Sequence, residues 1–138
     1  MRKLLAVLAL GALAACGGDS STGPSSSISG TYSLKSVNGQ VMPAVLGQAG
    51  SDKYEITSGS LSITNGTAYT VSLNSRTTVG GQVTTDISAD AGTVTVNGTA
   101  VTFTSSAQGA GATPITGTYA NGNTITLTDQ GTSLVFQK

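Results

Sequence analysis

Six carboxylates, four phenols, one thiol and no imidazole are the main groups this 138-residue chain can bring to acid–base, nucleophilic or metal chemistry. The missing His excludes a Ser/His or Cys/His pair, and the single Cys excludes an intrachain disulfide and the usual structural zinc sites. Among the acids, Asp52 and Glu55 flank Tyr54, and Asp86 stands four residues before Asp90. A glycosidase needs two carboxyls facing one cleft, whereas alternation along this segment puts Glu55 on a polar outer face. Asp86 and Asp90 lack the dense carboxylate spacing of a calcium loop. No catalytic residue, metal or cofactor is therefore assigned, and the chain is read as a non-enzyme. Six cations against six carboxylates give a formal net charge of +0. Without a clustered basic excess to neutralise phosphates, no nucleic-acid partner is expected.

The thiol has a context that the acids lack. Arg2 and Lys3 precede an apolar and small-residue run, Leu4 to Ala15, which suits a secretory signal and is too short to span a bilayer. The run ends in Leu13-Ala14-Ala15-Cys16, which resembles the lipobox of bacterial lipoproteins. That resemblance implies cleavage before Cys16, a diacylglyceryl thioether on its sulfur and an acyl chain such as palmitate on its new amino group. More than one chain is what stable anchoring requires. Gly17, where Asp would signal retention, implies by the same analogy an outer-membrane destination, with periplasmic or cell-surface display left open. Gly17 to Ser27 holds no large apolar residue and reads as a flexible spacer. The expected organisation is a signal peptide over 1–15, the lipidated Cys and Gly/Ser tether over 16–28, and a single domain over 29–138. After cleavage four cations face six carboxylates, too slight an imbalance to steer a charged partner.

Composition sets the elements that the domain can use. Eighteen Ser and 22 Thr favour pleated surfaces and turns over helices. Apolar residues alternate with Ser and Thr in eight segments: 30–37, 54–64, 68–79, 83–96, 99–105, 114–119, 123–129 and 132–138. The one candidate for a short helix is Met42 to Gln48. The parity of the apolar residues on either side of a turn fixes the length of the loop. Two-residue turns are predicted at Asn97-Gly98, pairing Val94 with Val101, and at Gln130-Gly131, pairing Leu127 with Leu134 and Ile125 with Phe136. Three-residue loops are predicted at Asn65-Gly66, at Asn121-Gly122 and at Gly80-Gly81-Gln82, the last setting Arg76 across from Asp86. Parity flips near Ser58-Gly59 and between Ala89 and Gly92 predict two β-bulges. Sequential hairpins with two bends point to an all-β fold, an eight-stranded antiparallel up-and-down β-barrel, with a β-sandwich as the alternative.

Gly30-Thr31-Tyr32-Ser33-Leu34, Val37-Asn38-Gly39-Gln40 with Pro43, Gly59-Ser60-Leu61, Gly117-Thr118-Tyr119, Asn123 to Thr128 and the closing Leu134 to Lys138 resemble the small lipocalin-like lipoproteins of bacteria. The resemblance implies a calycin-type barrel. Where lipocalins carry Gly-x-Trp on the first strand beneath a basic residue from the last, this chain has Gly30-Thr31-Tyr32 and Lys138.

With the apolar face inward, the lining would include Tyr32, Leu34, Ile56, Ile63, Tyr69 and Val71, then Phe103, Tyr119, Leu127 and Phe136, with Ile87 and Val96 also turned in. Such a barrel either fills itself or holds one small guest. Two functions follow: a carrier of a small hydrophobic ligand, with Val41 to Ala49 as its lid, or a structural or interaction lipoprotein with a solid core. Its expected partners are the membrane, through the lipid on Cys16, and that ligand; a monomer is expected.

Overall fold

The structure, a computed structural model, describes residues 27–107, 109, 111 and 113–138. The signal, Cys16 and the tether as far as Ser26 lie outside the described residues. Ten antiparallel strands form one sheet: β1 (Gly30–Val37), β2 (Gln40–Val41), β3 (Ala44–Ala49), β4 (Asp52–Thr64), β5 (Ala68–Val79), β6 (Gln82–Asn97), β7 (Ala100–Ser105), β8 (Ile115–Ala120), β9 (Thr124–Asp129) and β10 (Thr132–Gln137). From β3 to β10 each strand pairs with the next. β1 then closes the ring, pairing with β10 on one side and, through Gly30–Ser33, with β4 on the other. Eight strands, β1 and β4 to β10, make the closed lipocalin-like barrel that the alternation predicts.

The segment expected to hold a short helix, Met42 to Gln48, instead contributes most of β3. β4 runs on past β1, leaving the edge of Asp52–Ile56 to be paired, and β3 takes it, with Ala44 opposite Ile56 and Ala49 opposite Asp52. Backbone donors and acceptors in a long strand need partners, and that need outweighs any weak helical preference here. β5 and β6 extend alongside, so β3, β4, β5 and the first half of β6 form a four-stranded sheet that projects beyond the ring.

Most turns follow the parity argument. Gln130-Gly131 is a two-residue turn with both residues at positive φ, 45° and 83°, and it sets Leu127 opposite Leu134 and Ile125 opposite Phe136. The loops beginning Asn65-Gly66 and Asn121-Gly122 contain three residues. At the β6–β7 hairpin the turn is Gly98-Thr99, so Val94 faces Phe103 and Val96 faces Val101, two residues out of the expected register but on the expected faces. The β4 bulge falls at Thr57, between the pairs Ile56–Ser75 and Ser58–Asn74.

The β5–β6 hairpin differs. Its turn is the two-residue Gly80-Gly81, with φ of 56° and 83°, and Val79 pairs directly with Gln82. Pairing then continues unbroken from Gln82 to Thr93, with no bulge between Ala89 and Gly92. The mirror-image turn formed by two left-handed glycines matches the twist of the strands, which favours it over a three-residue loop. Consequently Ile87, expected to face the core, points outward and is 72% exposed. Val96 keeps the inner face but lies close to the rim and is 43% exposed rather than packed in the core.

The core is one contiguous cluster that includes Tyr32, Leu34, Ile56, Ile63, Tyr69, Phe103, Tyr119, Leu127 and Phe136, with Val71 partly buried against it. Tyr32, Ile125 and Phe136 are fully shielded from solvent.

Candidate functional site

Three places in this fold bring polar or apolar groups together: the closed end of the barrel, its opposite mouth and the projecting sheet. At the closed end, residues assigned to the tether are part of the domain, because Ile28 packs on the core and is buried. Tyr32 Oη donates to the Ile28 carbonyl at 2.5 Å. Tyr119 Oη and Lys138 Nζ both donate to the Ser27 carbonyl, at 3.4 and 3.2 Å. Lys138 Nζ also lies 4.9 Å from the centre of the Tyr32 ring, a cation–π contact that joins the strand before it to β1. Tyr32 and Lys138, which depart from the Trp and base of lipocalins, are thus in contact here. Burial, then the neighbouring Tyr119 hydroxyl, push the Tyr32 phenol well above its ordinary pKa.

At the other mouth, Tyr69, Asp90, Phe103, Ser105, Thr113, Ile115, Asp129 and Gln130 line a cleft of about 270 Å³. Tyr69 Oη donates to Asp90 Oδ2 and Ser105 Oγ to Asp90 Oδ1, each at 2.6 Å. The Tyr69 ring meets Phe103 edge-on, centroids 5.0 Å apart. Burial alone would raise the Asp90 pKa, but the bonds from Ser105, Tyr69 and the Ala91 amide together outweigh it and hold the carboxyl below its usual range. The Tyr69 phenol is pushed up, first by burial and then by its bond to the Asp90 carboxylate and that charge. An ionised carboxylate whose two oxygens already accept hydroxyl protons braces three strands and is poorly placed to act as a general acid. Its pairing with Tyr69 follows from the Gly80-Gly81 turn, which sets Val71 opposite Asp90 and Tyr69 opposite Gly92. A two-residue turn read from the glycine pair would have put both side chains on the inner face.

On the projecting sheet, Glu55 lies on the face opposite the barrel interior, as the alternation predicts, but is 1% exposed. It bridges Lys53 Nζ at 2.6 Å and Arg76 Nη2. The bond from Lys53, reinforced by Arg76 against the cost of burial, holds its carboxyl below the usual range. Arg76 is directly opposite Thr85, so the expected contact with Asp86 does not form; Asp86 is opposite Ser75, on the other face. Asp52 Oδ1 accepts from the Gly80 amide at 2.8 Å and pins the hairpin tip. On the same face Val83 and Ile87 flank Thr85 and are 60% and 72% exposed, and Val79, on the opposite face, is 58% exposed.

The ten residues singled out as a possible ligand lining thus lie in or against one packed cluster. Four clefts among the described residues open to solvent; Tyr69, Val71, Phe103 and Tyr119 reach their walls, whereas Tyr32, Leu34, Ile56, Ile63, Leu127 and Phe136 do not. Comparison with protein-family models, with curated proteins and with solved structures finds no match to this chain.

Proposed function

We propose that this protein is a non-catalytic lipoprotein of the cell envelope, anchored through Cys16 in the outer membrane, whose solid barrel holds the β3–β6 sheet out for contact with other proteins. The observation that carries this reading is the distribution of apolar side chains. Tyr32, Phe136, Leu61 and Ile125 fill the ring, while Val79, Val83 and Ile87 sit on a sheet that leaves it. Val83 and Ile87 share one face of β6, and neighbouring exposed apolar residues of this kind suit a contact surface. Leu13-Ala14-Ala15-Cys16 supports the anchor. Ser27 is held at the closed end by Tyr119 and Lys138, so a tether from Cys16 would leave from the pole opposite the projecting sheet. Glu55 and Asp90, the buried or half-buried acids, are engaged within the fold, which supports a non-enzymatic role.

Native mass spectrometry of protein purified from its host tests the solid barrel. The expected mass is that of the cleaved chain with its lipid. A further apolar mass that survives mild desolvation would overturn the solid-barrel reading in favour of a ligand carrier.

A further inference from the structure

The first half of β6 is a lightly protected edge. Among the described residues, Gln82–Ala89 pairs with β5 alone, and β7 joins only at Gly92, opposite Ser105. Ala91 accepts from the Ser106 amide on the β7 side, while Val94 donates to Thr67 on the β5 side. Because backbone groups alternate in direction along a strand, Val83, Thr85, Ile87 and Ala89 turn their N–H and C=O groups towards the free edge. Natural edges are blunted by charged side chains, Lys above all, and by Pro or bulges. This one carries a single charge, Asp86, and neither Lys, Pro nor bulge, whereas the sheet's other edge, β3, is interrupted by a register shift between Val45 and Gly47.

We infer that the partner of this edge is a second copy of the same chain, paired antiparallel about a two-fold axis at Thr85. The inference rests on the reading of the projecting sheet as a contact surface and names its partner. The register selects itself. Centring on Thr85 makes Thr85 its own partner and sets Val83 opposite Ile87 twice, so the exposed β-branched residues of each copy meet. All three pairs use the backbone groups that face outward. Asp86 then lies opposite Thr84, and no carboxylate faces another. Centring one residue later would put the two Asp86 carboxylates side by side and would align backbone groups already bonded to β5. Centring on Ile87 would pair Thr85 with Ala89 but leave Val83 opposite Ala91, which β7 already occupies, so the two exposed β-branched residues would not meet.

The result is a closed, isologous dimer in which two four-stranded sheets become one of eight strands. Edge pairing over so short a span falls below the roughly 1,200 Å² of a standard interface, so the dimer is weak in solution, and confinement to a membrane favours it. The two closed ends lie at opposite poles, about 80 Å apart at the usual rise per strand residue. Ser27 lies eleven residues after Cys16, a reach of up to about 36 Å, enough for a dimer lying along one membrane.

Thr85→Cys in the full chain, expressed in membranes and oxidised mildly, tests the pairing. Hydrogen-bonded antiparallel partners stand about 5.5 Å apart at Cα, within disulfide range. Thr85→Cys is expected to form covalent dimer at least fivefold above Val83→Cys or Ile87→Cys alone, whose symmetry partners carry no thiol. The double variant Val83→Cys with Ile87→Cys should cross-link as well as Thr85→Cys. Adding Ile87→Lys to Thr85→Cys should lower the yield severalfold. Equal yields at positions 83, 85 and 87, or a Thr85→Cys yield no higher than that of the unsubstituted chain, would overturn the dimer. Either result leaves the solid-barrel reading standing, since that reading falls only with a retained ligand mass.

Discussion

At the scale of single residues, the acids of this chain stabilise a fold. Asp90 and Glu55 both have carboxyls held below their ordinary range. The unfolded chain therefore takes up their protons at a higher pH than the folded one, and the stability they add is present above about pH 4 and lost as pH falls through their lowered values. Tyr32 and Tyr69 have the opposite sign. The folded chain keeps their protons above pH 10, where the unfolded chain releases them, so stability falls as pH rises beyond about 10. With no His in the chain, a flat plateau between about pH 5 and 9 is expected from these side chains. Urea midpoints at pH 2.5, 7 and 10.5 should trace this profile. Asp90→Asn should lower the midpoint at pH 7 and shrink the acid limb; an acid limb identical to that of the parent would remove Asp90 from this role. In the sequence Tyr32 and Lys138 stood out only as departures from the lipocalin Trp and base, and their contact emerges with the fold. Ser105 was not, because a serine in a Thr- and Ser-rich strand carries no signal until its neighbour across the sheet is known.

Whole elements were legible wherever a turn's parity had one solution. Gln130-Gly131 and the two Asn-Gly three-residue loops each admit a single register once the apolar residues on both sides are assigned inward. Gly80-Gly81 admitted two solutions, since Ile87 could be placed inside by a longer loop and a compensating bulge. The shorter turn without the bulge leaves Ile87 outside, and that arrangement is the one present. The parity flip beside Gly92 marked something other than a bulge. A Cβ on Gly92 would collide with the Thr104 carbonyl of β7, and one on Gly117 with the Thr126 carbonyl of β9, so both glycines sit where neighbouring backbones pack too closely for a side chain. Gly92→Ala is expected to cost about 1–3 kcal/mol through overpacking. Gly47→Ala, in open space on β3, should lie within about 0.5 kcal/mol of the parent. Chemical denaturation of the two variants side by side checks the difference; equal stabilities would mean that β6 relaxes at Gly92 and that no close approach is required there.

For the molecule as a whole, function depends on how its two poles are used, and they differ in kind. The closed pole is fastened by Tyr32, Tyr119 and Lys138 onto Ser27 and Ile28, so a pull on the chain from Cys16 is delivered to the barrel at one defined point. The open pole carries the sheet that the ring does not need. The barrel class could be read from alternation because one buried face imposes a period of two on every strand. The projecting sheet could not, because strand length beyond the ring depends on which neighbours stop first, and that is set by β1 and β7 leaving. If Cys16 is the anchor, removing its sulfur should change location without changing fold. Cys16→Ser should incorporate no labelled palmitate, should keep its signal sequence or be cut by a different peptidase, and should lose the membrane association of the parent, which fractionates with the outer membrane. Stability should be unaltered, since among the described residues the buried cluster begins at Ile28, twelve residues later. A Cys16→Ser protein that still takes up palmitate and fractionates with the outer membrane would remove the lipid anchor from this account.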